Sequence, residues 1–175
     1  MIKLFLKDLR YKQSIFAQDG ANVSLLKIFL SDGTCANFLY RLMQLSAARK
    51  WSLPFALFFQ YMNKLLNQCV IGLKADFESG FVLMHPVGVV VNSSVKGGER
   101  IVLESGVVIG GEKGKTPILG SEIFVGSGAK IIGGVYVGDN TKVGANAVVL
   151  KDVESGDTVV GIPAKPVKRK LNEHA

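Results

Sequence analysis

Few side chains in this sequence could carry chemistry. Its 175 residues include two histidines and two cysteines. Imidazole has a pKa near neutrality, so it suits the removal of a proton from a hydroxyl nucleophile. His174 stands one residue from the end of the sequence, a poor place for a fixed base, which leaves His85, followed by Pro86. A lone histidine is more often structural, so His85 needs support from its surroundings. Cys35 and Cys69 show no metal or redox spacing. The other distinctive stretch is Gly110–Lys115 (GGEKGK), glycine-rich and charged.

The totals bound the rest. The length fits one domain, or one domain with a small cap. Hydrophobic residues make up 48%, enough for a core, and the net charge is +7. A basic surface attracts anions, although surplus lysine also keeps a protein soluble. There is no nucleic-acid module and no basic run with interleaved aromatics. No signal peptide is visible: the short apolar stretch Met1–Lys12 is interrupted by Lys3, Lys7 and Asp8. The expectation is a reduced cytoplasmic protein. Trp51–Val70 is the most apolar segment, broken by Pro54, Gln60, Asn63, Lys64 and Asn67. It is too short of apolar residues to span a bilayer. It reads as a packed helix first, with contact to a membrane surface or a partner as the alternative.

The elements that must position His85 fall into two halves. Residues 1–70 read as helical: Ser24–Leu30 after a plausible cap, a break at Asp32-Gly33, then Ala36–Ala48, then a helix begun by Ser52-Leu53-Pro54. From residue 71 every sixth position is apolar: Ile71, Phe77, Leu83, Val89, Val95, Ile101, Val107, then Leu119, Val125, Ile131, Val137, Val143 and Val149, with Lys113 the exception. Such a period fits neither helix nor alternating strand. It predicts a coil of three flat faces, with one aliphatic side chain pointing inward at each step and glycine at the corners. Lys113 predicts that the segment at about 110–117 leaves the coil as a loop, because an inward unpaired ammonium is heavily penalised. The coil is expected to resume in the same phase at Leu119.

These repeats resemble the hexapeptide-repeat acyltransferases, and within them bacterial serine acetyltransferases and the O-acetyltransferases of colanic-acid and capsule gene clusters. The resemblance rests on His85-Pro86-Val87-Gly88, Gly110-Gly111, Pro117-Ile118, Val125–Ile131 (VGSGAKI), Val143–Val149 (VGANAVV) and Val160–Lys165 (VGIPAK). It is strong over residues 70–167 and weak before, where Asp19 and Asp32–Arg41 (DGTCANFLYR) look like a worn version of the family's leading helices. It implies a left-handed parallel β-helix over residues 71–167, a short helical region over 1–70 and a tail over 168–175. It also implies a homotrimer, alone or as a dimer of trimers, with each site in the groove between adjacent β-helices and acetyl-CoA lying along it.

The resemblance implies His85 as the catalytic base and the backbone N–H groups at Gly110 and Gly111 as holders of the oxyanion. It places Ser127, Gly128, Ala129, Lys142 and Ala145 along the cofactor, and Lys165, Lys168 and Arg169 near its phosphates. No metal is implied: the zinc enzymes on this coil need three histidines per site. On the acceptor side the family pattern is lost. The carboxylate that partners the histidine, fifteen residues earlier, is here Val70; the acid before the histidine is Met84; the loop's Arg-His pair is Lys115-Thr116. Asp19 matches another serine-binding aspartate, one residue out of register. Asp76 and Glu78 stand as alternatives to orient His85.

These losses lead to the expectation of a saccharide hydroxyl on a cell-surface polysaccharide as acceptor. L-Serine is the alternative, and a non-catalytic scaffold a lesser one. The final residues Asn172–Ala175 lack the terminal isoleucine through which serine acetyltransferases bind the next enzyme of cysteine synthesis, so no such complex is expected.

Overall fold

The computed structural model describes residues 2–167. Helix α1 spans Ile2–Gln18 and buries Phe5, Asp8, Leu9 and Lys12, which helical spacing places on one face. Two polar residues on that face need partners, and both find them near the site. Helix α2, Leu25–Phe29, starts at Ser24, whose hydroxyl accepts from Lys27 N–H. Helix α3, Thr34–Ala47, begins after Gly33 in the left-handed region. Helix α4, Leu53–Asn67, carries Pro54 in its first turn and stops at Gln68, also left-handed.

α3 packs across the first turn of the coil. The Tyr40 hydroxyl donates to the Ala75 carbonyl at 3.2 Å and accepts from Phe77 N–H at 3.1 Å. Its ring meets the stacked pair Phe77–Phe81 edge-on. α4 packs through a narrow face that includes Ala56 and Asn63, and leaves Phe55, Leu57, Phe58, Tyr61, Leu65 and Leu66 exposed. The expected packed helix is therefore only partly packed. No helix among the described residues is long and apolar enough to cross a membrane.

From Val70 the chain winds into a parallel β-solenoid of about four turns, with two- and three-residue strands stacked in three sheets. A short antiparallel pairing of Thr158–Val160 with Lys165–Pro166 ends it. Ile71, Leu83, Leu103, Val125, Val143 and Val149 are among the aliphatic side chains filling the interior, each nearly fully buried.

The register corrects one expectation. A regular turn takes eighteen residues, as from Val90 to Val108 and from Lys130 to Val148. The first turn takes twenty, from Val70 to Val90, and the turn holding the loop takes twenty-two, from Val108 to Lys130. The inward phase thus slips by two residues near His85 and by four at the loop. Together the slips make six, so the count by sixes looks unbroken although the phase changes between. Val89, Val95, Ile101 and Val107 are buried as well, but as second inward positions, two residues ahead of Val91, Gly97, Leu103 and Ile109. Lys113 does leave the coil, at the tip of a tight turn closed by Glu112 and Lys115.

Candidate active site

The two extra residues of the first turn are His85 and Pro86. On one side Met84 N–H donates to Leu103 O, which aligns Met84 with Glu104. On the other, Gly106 N–H donates to Val87 O, which aligns Gly88 with Gly106. Between these alignments the upper turn has nothing to match His85-Pro86, so the pair bulges outward. The His85 side chain is 59% exposed.

Its Nδ1 lies 2.8 Å from Asp32 Oδ2. Asp32 is the residue that closes the break between α2 and α3, and three features place it. The Lys12 ammonium on α1 donates to the Asp32 carbonyl and, at 3.4 Å, to Thr34 Oγ1. Thr34 Oγ1 also donates to Ile28 O at 2.8 Å. Gly33, at φ +75°, lets α3 approach the strand before His85: a Cβ there would lie 1.9 Å from Leu83 O. Burial pushes the Lys12 ammonium down to about 8, against the pull of Asp32 and Glu104.

Two further contacts fix that strand. Asn37 on α3 donates to Phe81 O at 2.6 Å and accepts from Leu83 N–H at 2.8 Å, so one amide holds both ends of residues 81–83 along a single edge. Arg41 and Asp8 form a buried bidentate pair at 2.8 and 3.0 Å. Asp8 Oδ1 accepts from Gly80 N–H and Phe81 N–H, and Arg41 donates to Phe77 O. Burial raises the Asp8 carboxyl above the usual range, opposed by the Arg41 hydrogen bond. The Cys69 thiol, fully buried and pushed up to about 12, is not a nucleophile.

His85 lies at the corner between the sheet of Val82–Leu83 and that of Val90–Val91. Ser127-Gly128 and Ala145-Asn146 turn the same corner in higher turns, through Gly128 N–H to Ser105 O at 2.7 Å and Asn146 N–H to Ser127 O at 2.9 Å. The corner is a column of small residues rising from His85. Lys130 reaches back to it, donating to Gly106 O and Gly128 O. Ala129 is buried and its N–H is taken by Gly126 O. Lys142 and Lys165 are exposed on the sheet leading to this corner.

Gly110, Gly111, Lys115 and Thr116 lie elsewhere, where the chain passes from the sheet of Val108–Gly110 to that of Ile118–Leu119. Gly111 packs against Thr116, Lys115 O and Asn92. One coil does not bring this loop to its own His85. Asp19 follows α1 on the surface, and its side chain makes no hydrogen bond or ion pair among the described residues. Asp76, expected as an alternative partner for His85, instead accepts from Gln44. Asp32 was hidden in the sequence as half of a turn signal, Asp32-Gly33. Lys168 lies outside the described residues.

A parallel coil of six-residue steps, with a carboxylate-paired histidine at one corner, defines the hexapeptide-repeat transferase class. Residues 116–151 match the family model described as "Bacterial transferase hexapeptide (six repeats)". The Bacillus subtilis serine acetyltransferase is 32% identical over 171 residues, covering 91% of this chain and 78% of that protein. This chain belongs to the serine acetyltransferase family.

A soybean serine acetyltransferase solved in complex with serine superposes at a TM-score of 0.83 with 29% identity, covering 94% of this chain and 68% of that one. A serine acetyltransferase in complex with CoA superposes at 0.85 with 26% identity, covering 95% and 69%. The chain spans 58% of the length of a Helicobacter pylori serine acetyltransferase that is 41% identical over 99 residues. These likenesses overturn the saccharide acceptor expected from the missing charges: relatives and structural neighbours alike are serine acetyltransferases. The absence of charged residues at particular positions does not exclude an acceptor, because a charge can enter a site from another position: Asp32 reaches His85 although position 70 is valine.

Proposed function

We propose that this protein transfers acetyl from acetyl-CoA to the hydroxyl of L-serine, with His85 as general base. The observation that carries the reading is the 2.8 Å contact of His85 Nδ1 with Asp32. An ionised carboxylate only accepts, so Nδ1 holds the proton and Nε2 presents its lone pair. Nε2 takes the serine hydroxyl proton as the oxygen attacks the thioester carbon. The carbonyl π electrons move onto oxygen, where N–H groups at Gly110 and Gly111 hold the charge. On collapse the C–S bond breaks and the imidazolium returns its proton to the departing CoA thiolate, leaving O-acetylserine and CoA.

The double glycine and His85 lie on different corners of one coil, so in this reading the loop comes from a neighbouring copy in a homotrimer. Ser127, Gly128, Ala145 and the backbone beside Ala129 line the CoA channel, with Lys142 and Lys165 toward its phosphates. Lys115 and Thr116 of the neighbour's loop face the acceptor, with Met84 beside the base. Residues 1–70 serve as the helical part of the site, residues 71–167 as the transferase coil, and the reaction is a cytoplasmic one.

The test is CoA release from acetyl-CoA with L-serine, comparing the protein with His85→Ala. Serine-dependent release that falls by about 10²- to 10⁴-fold in the variant supports the reading. CoA binding without serine-dependent release overturns it.

A further inference from the structure

We infer that Glu104 is a specificity residue that binds the ammonium group of the acceptor. This rests on the reading of the site as one for an amino-acid hydroxyl. Three observations carry it.

The first is position. Met84 and Glu104 are aligned in successive turns, through Met84 N–H to Leu103 O at 3.0 Å and the pairing of Leu83 with Leu103. Aligned residues of neighbouring parallel strands lie about 4.8 Å apart. Leu103 points inward and is fully buried, so Glu104 turns outward at the corner, next to where His85-Pro86 bulges. It is the first acidic side chain above the base.

The second is that its carboxylate is uncommitted. Glu104 is half-buried, and its side chain makes no hydrogen bond and no ion pair among the described residues. Its backbone N–H is used, donating to Val125 O. The other carboxylates around the site are engaged: Asp32 with His85 and Gly33 N–H, Asp8 with Arg41, Asp76 with Gln44.

The third is the surrounding charge. Lys12 lies within the electrostatic reach of both Asp32 and Glu104, which groups the three around His85. Lys12 is 3% exposed and engaged with Asp32 O and Thr34, so it cannot cover the Glu104 carboxylate on its outer side. A half-buried carboxylate with one open side favours a cation that brings its own hydrogen-bond donors. An α-ammonium beside the reacting hydroxyl does so, at the position that Met84 leaves uncharged.

The experiment compares wild type and Glu104→Gln with L-serine and with 3-hydroxypropionate, which keeps the hydroxyl and carboxylate but lacks the amine. The expected result is a 10- to 100-fold rise in KM for L-serine in Glu104→Gln. kcat, KM for acetyl-CoA and turnover of 3-hydroxypropionate change less than threefold. An unchanged KM for L-serine in a folded variant overturns the inference while leaving the serine reading intact. If wild type does not turn over L-serine, the serine reading fails, and Glu104 is read with paired acceptors, ethanolamine against ethylene glycol and glucosamine against glucose. A wild-type preference for the amine-bearing member that Glu104→Gln abolishes supports the inference. No such preference overturns it.

Discussion

Asp32 and His85, fifty-three residues apart in the chain, meet at 2.8 Å across the seam between the helices and the coil. In the proposed reaction the helical region is thereby part of the site, not merely a cap on it. In the family pattern the orienting carboxylate comes from the coil itself. Here that position is Val70 in the first strand of the coil, and a turn between two helices supplies the acid.

Asp32→Asn keeps the shape of the contact but removes the charge that fixes the Nδ1–H tautomer and stabilises the imidazolium. The pair is solvent-exposed, so screening tempers the effect. The expected outcome is a fall in kcat of about 10- to 100-fold with KM for acetyl-CoA unchanged. Steady-state kinetics over a pH series checks it. A variant with wild-type kcat would show that His85 needs no partner.

Gly33→Ala tests how that carboxylate is placed. The backbone there is left-handed, and the added methyl would press on Leu83 O. Strain at such a φ is about 1–2 kcal/mol, before any clash. The expected outcome is a loss of stability of at least about 2 kcal/mol in chemical denaturation, with activity falling further than Asp32→Asn alone explains if the backbone moves away. Stability equal to wild type would mean that the seam is loose.

How much of this could be read in the sequence depended on whether a feature was local. The coil was legible because each six-residue step repeats the same inward side chain, and Lys113 marked the loop because a charge cannot point into that core. The phase slip at His85-Pro86 was not legible, since Val89 and Val91 are both aliphatic and the slips of two and four sum to a full step. Asp32 was not legible as the partner of His85 because nothing within either segment encodes a contact between them. It depends on Lys12, Gly33 and Asn37 setting α3 against residues 81–83. Asp8 and Arg41 were likewise unremarkable charged residues until the fold buried them together.

Arg41→Met should leave Asp8 buried against Gly80 and Phe81 with no counter-charge. Removing one member of a buried pair costs about 3–5 kcal/mol. The double variant Asp8→Leu with Arg41→Met should be milder, because no uncompensated charge remains. Its cost comes from the carbonyls of Phe77 and Glu78, which lose the Arg41 donor, and from the N–H groups of Gly80 and Phe81, which lose the Asp8 acceptor. Urea denaturation of the two singles and the double forms a cycle. A double variant as unstable as Arg41→Met would locate the penalty in those backbone groups instead of the stranded carboxylate.

Lys12 gives a pH dependence whose sign follows from its shift. The ammonium is held at about 8 in the folded protein, mainly by burial, against 10.5 for an ordinary lysine. Between those values the unfolded chain binds more protons than the folded one, so stability increases as pH rises through that window. The increase is at most about 1.4 kcal/mol per pH unit for one group, and it is lost again as pH falls through 8. Lys12→Met removes this gain, so denaturation curves of wild type and variant taken from pH 7.5 to 10 should separate with increasing pH, wild type becoming the more stable in relative terms. The lysine side chain keeps its bond to Asp32 O when neutral, since an amine still donates, so the alkaline gain should not come with release of the turn that carries Asp32. Parallel curves across the window would mean that Lys12 is hydrated and is not the fixed link between α1 and the Asp32–His85 pair.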